Sequence, residues 1–511
     1  MAEPFRNALL RLTGRVRLYC PHGELLPGMA YLIRRLLENT ANESFLRQTF
    51  VEGAAADRLL ARPVSSPAEP EGEPTGFRNE PFPDWTQAEV RDAYAQALRE
   101  VRGRLGETCP LVIGGEEVAT DDVVESVNPA KPDEVVGRAC QAGAREVEAA
   151  VAAAGEALGA WRNTPPRERA GYLLRAAEAA RRRLFELAAW QTLEGGKQWQ
   201  QAYLDVAEAI DFLRYYAGEM IRLGEPLSLG DAPGEDNAYF YQPKGLAAVI
   251  APWNFPLAIS AGMAAAAIVA GNCVLYKPSG QTPVVGWTLA ELFREAGLPP
   301  GVFNYLPGRG SEIGDVLVEH PAIALVAFTG SMAVGLRIIE RAARTSAAQA
   351  QVKKVIAEMG GKNAIIIDDD ADLDEAVPAV IASAFGYQGQ KCSACSRAIV
   401  LDALHDRFVA RLLDAARSMK IGPAEDPANA MGPVINRSAQ QSILEYIELA
   451  GQEGTIAYRS EVREDGFYVP ITIATGITPA HRLAQEEVFG PVLSVMRAKD
   501  FDEALAWANG T

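Results

Sequence analysis

The chain has 511 residues, 48% hydrophobic and 23% charged, the composition of a globular protein with ample core and length for roughly two to four domains. A net charge of −17 repels phosphate backbones and anionic lipid, which argues against nucleic acid or a membrane surface as partner, yet leaves room for a local cationic pocket holding an anionic cofactor. Six scattered cysteines make no disulfide framework, and Met1-Ala-Glu-Pro-Phe-Arg6 carries no apolar signal core, so the expected setting is reducing and cytoplasmic.

Residues 1–60 read as a short separate piece. Arg15-Val-Arg-Leu-Tyr-Cys20 alternates like a strand, and 25–47 follows a helical rhythm with Tyr31, Leu32, Leu36 and Leu37 on one side. Residues 61–84 are rich in Pro, Glu, Gly and Ser, cannot bury enough apolar surface to fold, and read as a linker. Residues 86–105 and 143–220 are mostly amphipathic helix. From 245 onward, strands and helices alternate. Strands are expected at 245–251, 272–277, 302–306, 323–328 and 354–357, with helices at 257–270 and 283–296. The apolar run 257–276 approaches bilayer length, but it is dominated by Ala and Gly and contains Ser260 and Asn272. A buried helix followed by a buried strand accounts for it better. Continuous apolar strands separated by helices predict an α/β fold whose parallel sheet is covered on both faces, with ligands at the carboxyl ends of its strands. A second α/β region follows, with helices at 372–386, 405–419, 440–453 and 501–509 and a strand at 397–401. The expected division is a dinucleotide-binding domain over 85–357 and a thiol-bearing domain over 358–511.

The strand ends carry the candidate chemistry. Cys392 lies in Tyr387-Gln-Gly-Gln-Lys-Cys-Ser-Ala-Cys-Ser-Arg397. A cysteine is usually a small buried hydrophobe, but the polar, glycine-bearing approach exposes backbone N–H groups and favours a nucleophile. Cys395 completes a Cys-x-x-Cys, which raises a redox dithiol or half a zinc site as rivals. No second cysteine pair exists, and His22, His320, His405 and His481 are isolated, so no metal is expected. Glu358, in Ile356-Ala-Glu-Met-Gly-Gly-Lys362, stands at the end of what reads as a buried strand. A partly buried carboxylate at such a place serves as a base. Asn254 sits between two prolines in Ala251-Pro-Trp-Asn-Phe-Pro256, so its amide is held rigidly. It suits an oxyanion hole with the Cys392 N–H as second donor, beside the plainer reading of turn chemistry. Lys277-Pro-Ser279 ends the next strand, where a lysine is either a solvated charge or a ligand for ribose or phosphate. Gly330-Ser-Met-Ala-Val-Gly335 opens a helix, as a serine-capped turn or a pyrophosphate site.

Taken in order, Pro-Trp-Asn-Phe-Pro, Lys-Pro-Ser, Phe-Thr-Gly-Ser, Glu-x-Gly-Gly-Lys, Gly-Gln-x-Cys and Glu-Glu-Val-Phe-Gly-Pro resemble the aldehyde dehydrogenase superfamily from about residue 110 onward. The resemblance implies that fold, with a Rossmann-like NAD(P) domain and an α/β catalytic domain. It makes Cys392 the nucleophile, Glu358 the base for deacylation and Asn254 the oxyanion donor. Trp253, Lys277, Ser279, Gly330, Ser331 and Gly335 would contact the cofactor, and Glu487 and Phe489 would hold its nicotinamide ribose and ring. Phe77-Arg-Asn-Glu-Pro81, Asp205-Val-Ala-Glu-Ala-Ile-Asp-Phe212, Pro233-Gly-Glu-Asp-Asn237 and the Cys392 segment are similar to the L-glutamate γ-semialdehyde (Δ1-pyrroline-5-carboxylate) dehydrogenases of proline catabolism. In that group Ser393 and Phe212 would bind the substrate, and a hairpin near 225–245 would join subunits into a homo-oligomer. Residues 19–47 resemble the last strand and helix of a proline dehydrogenase barrel, with Arg34 and Arg35 matching its carboxylate clamp. The chain therefore resembles part of the bifunctional proline-utilisation enzymes (PutA). Most of the flavin barrel is absent, so FAD is not expected. The family continues past Trp507-Ala-Asn-Gly-Thr511, so the catalytic domain is expected to be incomplete. Gly280 stands where many relatives have an acidic residue near the adenosine ribose, which leaves NAD or NADP open. Two other readings stand beside this one: a general aldehyde dehydrogenase, and a non-catalytic nucleotide-binding module.

Overall fold

The computed structural model describes residues 3–13, 77–230 and 232–511. The chain divides into two units, Met1–Phe77 and Arg78–Thr511. In the first, the helix Glu3–Thr13 is described. The strand expected at 15–20, the helix expected at 25–47, Arg34, Arg35 and residues 61–76 lie outside the described residues.

In the second unit the apolar runs become strands. A seven-stranded sheet takes the order Lys354–Glu358, Ile323–Thr329, Leu246–Ile250, Cys273–Lys277, Phe303–Tyr305, Leu111–Ile113, Glu116–Val118. The first five are parallel. Leu111–Ile113 joins antiparallel to Phe303–Tyr305, and Glu116–Val118 hairpins back from it. This hairpin was not legible from alternation, because its strands have only three residues each. The run at 257–276 folds as the helix Ala258–Val269 and the strand Cys273–Lys277, both almost wholly buried. No helix among the described residues is long and apolar enough to cross a membrane.

One expectation is corrected. Lys354–Glu358 is not a buried strand: it lies at the sheet edge, and its residues alternate between exposed and half-buried. Ile356 is 52% exposed. A strand with a neighbour on one side only cannot be covered like the central strands.

Helices cover the sheet. The expected helical stretch 143–220 is four helices, Ala144–Trp161, Pro166–Arg182, Leu184–Gly195 and Trp199–Leu223. The breaks come at Pro165-Pro166, at Arg183 and at Gly196, whose left-handed φ of 65° ends the third helix. Arg78–Pro81 has no helix or strand but is firmly held. Asn79 and the Glu80 N–H donate to the Asp211 carboxylate at 2.8 Å each, Glu80 pairs with Arg181, and the Pro81 carbonyl accepts from Tyr203 Oη.

A five-stranded sheet, in the order Ala364–Ile367, Arg397–Leu401, Val492–Ala498, Thr472–Thr475, Thr455–Arg459, forms the second layer system. Leu373–Phe385 and Asp402–Arg417 pack on it around Phe408 and Leu412, and Arg437–Glu453 packs around Ile443 and Ile447. Near 225–245, Leu227–Ser228 pairs antiparallel with Ala238–Tyr239 as a small hairpin. Leu227, Leu229, Tyr239, Phe240 and Tyr241 on it are exposed.

Candidate active site

The carboxyl ends of the parallel strands bring most of the expected residues to one rim. Leu246–Ile250 leads into Trp253 and Asn254, Cys273–Lys277 ends in Lys277, and Ile323–Thr329 leads into Gly330 and Ser331. Thr329 lies level with Glu358, and the Gly330 N–H donates to the Glu358 carbonyl at 3.0 Å. The Cys392 segment comes from the other sheet system, entering from Leu373–Phe385 and leaving as Arg397–Leu401.

That segment is held tightly. Tyr387, Gln388 and Gly389 are three successive left-handed residues, with φ of 51°, 59° and 68°. Such backbone is costly for Tyr and Gln, and neighbours must fix it. Tyr387 Oη donates to the Gly195 carbonyl at 3.1 Å. Gln388 Nε2 donates to the carbonyls of Gly196 at 3.1 Å and Pro433 at 2.7 Å, and its Oε1 accepts from the Gly432 N–H. A Cβ on Gly389 would strike the Gly490 carbonyl. Beyond the thiol, Asn363 Nδ2 donates to the carbonyls of Cys392 at 2.6 Å and Ala394 at 3.1 Å. Asn363, Tyr387 and Gln388 were missed as site residues. The available signal was Asn363's place one residue past the Gly-Gly-Lys run.

Cys392 is half-buried. Burial pushes its thiol pKa up, the Glu358 charge adds to this, and so does Glu487; the N–H groups of Cys392 and Ser393 pull the other way. Cys392, Glu358 and Glu487 therefore share one electrostatic neighbourhood. Asn254 is 5% exposed, and its Nδ2 donates to the Gln390 carbonyl at 3.1 Å. An amide carries two N–H donors, so one remains for a ligand oxygen. Glu358 itself is exposed, against the expectation of partial burial, because its strand forms the sheet edge. Lys391, next to the thiol, is held down to about 8 by burial and then by the charge of Lys197.

On the opposite side of the rim, Lys277 is 7% exposed and burial lowers its pKa to about 8. Its Nζ donates to the Pro278 carbonyl at 3.3 Å. A buried ammonium whose partner among the described residues is a carbonyl is suited to an arriving polar or anionic group. Ser279 is half-buried, and a Cβ on Gly280 would meet open space. The helix Met332–Ala342 starts at Ser331, whose side chain makes no capping bond, and residues 331–334 are exposed. Its first N–H groups are thus open to an anion. A Cβ on Gly330 would meet the Phe328 ring at 2.7 Å and one on Gly335 would meet Met359 Sδ at 2.6 Å, so a side chain at either place displaces its neighbour. Trp253 and Phe489 meet edge to face at 5.4 Å, with Phe489 at a φ of 54°. Glu487 lies over Gly360, where a Cβ would collide with its carboxylate; burial raises its pKa and the Gly361 N–H opposes this. Ser393 is exposed. Phe212 stacks on Tyr216 at 5.9 Å and presses on Gly262.

A thiol in the field of a carboxylate, an amide tied to the thiol's own segment, and a buried ammonium and an open helix start at the ends of neighbouring strands together define a class. Residues 117–511 match the aldehyde dehydrogenase family, and the chain belongs to it. Residues 1–48 match the proline dehydrogenase family. The chain is 47% identical over 436 residues to the 1-pyrroline-5-carboxylate dehydrogenase of Geobacillus thermodenitrificans, covering 85% of each chain. It is 45% identical to 1-pyrroline-5-carboxylate dehydrogenase 2 of Halalkalibacterium halodurans, over 86% of this chain and 85% of that one. Among solved structures, the Thermus 1-pyrroline-5-carboxylate dehydrogenase with bound NAD superposes with a TM-score of 0.83 at 46% identity, covering 85% of this chain and 84% of that one. Proline utilization A from Bdellovibrio bacteriovorus superposes with a TM-score of 0.88 at 47% identity, covering all of this chain and 54% of that one. The chain thus spans about half the length of that protein.

Proposed function

We propose that the chain oxidises L-glutamate γ-semialdehyde, the open form of Δ1-pyrroline-5-carboxylate, to L-glutamate with NAD in proline catabolism. The observation that supports this is Cys392 within the field of the Glu358 carboxylate and beside two backbone N–H groups, two residues past the Gln390 carbonyl that the Asn254 amide holds. The likeness to named 1-pyrroline-5-carboxylate dehydrogenases supports the substrate, and that to an NAD-bound one supports the cofactor.

The residues present fit a nicotinamide dinucleotide. Lys277, Ser279 and the N–H groups at Ser331 would hold its ribose and phosphates. Trp253, Glu487 and Phe489 would hold the nicotinamide end. When bound, that group supplies the hydride acceptor. The chain's own residues do the rest. The Cys392 thiolate bonds to the aldehyde carbon, and the free Asn254 N–H and the Cys392 N–H stabilise the oxyanion. After oxidation, Glu358 takes a proton from water, which cleaves the thioester and frees Cys392. Its exposure gives it access to that water. Ser393 and Phe212 serve the substrate's carboxylate and aliphatic part.

We place this work in the cytoplasm, consistent with the five free cysteines among the described residues, and in a homo-oligomer joined through the exposed apolar hairpin at 227–241. The test is formation of reduced nicotinamide by the chain given Δ1-pyrroline-5-carboxylate and NAD. Signal lost on Cys392→Ala supports the reading, and turnover retained by that variant refutes it.

A further inference from the structure

The short turn Glu194-Gly-Gly-Lys-Gln198, outside every recognised motif, touches three of the segments around the site: the one before Cys392, the loop of Asn254 and the helix after Lys277-Pro-Ser279. Glu194 is fully buried and accepts from the N–H groups of Val284 and Val285, the start of the helix that follows Lys277-Pro-Ser279. The carbonyls of Gly195 and Gly196 accept from Tyr387 and Gln388. Gln198 Nε2 donates to Gln388 Oε1 at 2.6 Å.

Lys197 stands at the centre. It is 1% exposed and pairs with Asp205, which is 0% exposed. The second Asp205 oxygen accepts from the Ala258 N–H at 2.6 Å, fixing the end of the loop that carries Asn254. The Lys197 ammonium lies 4.1 Å from the ring centre of Phe255, the neighbour of Asn254. It lies 4.9 Å from that of Tyr387, the first of the left-handed residues before Cys392. Cation–π attraction to two rings on two segments pulls those segments toward one point. Asn254 and the Gln390 carbonyl meet just beyond it.

We propose that Lys197, held by Asp205, is a positioning residue that sets the oxyanion loop 252–258 against the nucleophile segment 387–392. Neither residue faces the reacting atoms; both act through Phe255, Tyr387 and Ala258. This role rests on Cys392 being the nucleophile and is independent of which aldehyde it meets.

The charged and titratable groups around the pair are Glu208 from the same helix as Asp205, Lys391 and Tyr387 from the nucleophile segment, and Tyr276 from its strand. Replacing a buried ion pair by neutral residues of similar shape is tolerated where removing one partner is not. The test is therefore the double variant Lys197→Met/Asp205→Asn, in which the introduced amide oxygen still accepts from the Ala258 N–H. The readout is the pH profile of Cys392 alkylation by iodoacetamide in the 511-residue chain, corrected with a Cys392→Ala chain.

Loosening the segment withdraws the N–H groups of Cys392 and Ser393 from the sulfur, so the midpoint moves upward and the rate near neutrality falls about tenfold. Tyr387→Leu, which keeps the ion pair and removes one ring, is the second variant and is expected to shift the profile in the same direction. A purely structural pair would lower the melting temperature and leave the profile of the folded protein where it was. An unchanged profile in either folded variant overturns the proposal. If the unsubstituted chain shows no Cys392-dependent alkylation, the nucleophile reading itself falls, and the positioning role with it.

Discussion

The Cys392 segment 387–397, which the proposed function makes the nucleophile segment, and the turn 330–335 are both short glycine-bearing loops at element ends, yet they are built in opposite ways. The first is buried over 387–390, left-handed at three residues, and tied to distant segments by its own Tyr387 and Gln388 side chains and by that of Asn363. The second is exposed, and its serine makes no capping bond. A loop that must hold a reacting atom to within a fraction of an ångström needs its strain and its restraints in place before substrate arrives. A loop that receives phosphates needs open N–H groups, and its restraints come with the ligand.

Substitutions can break that contrast. The largest effect is expected at Asn254, which both ties the Gln390 carbonyl and offers an N–H. Asn254→Ala should lower kcat by about 10²- to 10³-fold with KM little changed, read by steady-state kinetics. Gly389→Ala comes next. The Ala must take a left-handed φ and push against the Gly490 carbonyl, so urea unfolding should show a loss of at least about 2 kcal/mol. At the receiving rim, Lys277 carries its charge fully below about 8 and loses it above. Dinucleotide affinity should fall several-fold as pH rises through that value, and Lys277→Met should abolish the dependence in calorimetric titration; a pH-independent affinity for the unsubstituted chain would count against the role of this ammonium. The smallest effect is expected for Ser331→Ala: within about 0.5 kcal/mol in stability, because no cap is lost, with a few-fold loss in dinucleotide affinity.

The same contrast separates what could be read from sequence. Four of the five parallel strands were legible because each is a short apolar run followed by a helix, and most rim residues follow from where those runs end; Lys354–Glu358 is followed instead by the strand Ala364–Ile367. The hairpin Leu111–Val118 was hidden, since its pairing with Phe303–Tyr305 joins segments far apart in the chain. The exposure of Glu358 was hidden for a related reason: Lys354–Glu358 has the composition of a central strand, and only the strand order puts it at the edge. Lys197 lies in no recognised motif, and Asp205, although it opens the run 205–212, carried no signal of its own there. A lysine and an aspartate on or beside a helix read as surface charge until Phe255, Ala258 and Tyr387 are brought around them.

Arg397 carries a consequence for when, rather than how, the site is made. Its guanidinium is 1% exposed and donates to the carbonyls of Lys362, Trp507 and Ala508 and to the Thr511 hydroxyl. The strand Arg397–Leu401, which fixes the far end of the nucleophile segment, also pairs with Val492–Ala498. During synthesis the thiol leaves the ribosome long before the carbonyls that satisfy the buried cation behind it. Full pairing of that buried cation therefore requires the helix Phe501–Ala508 to have docked.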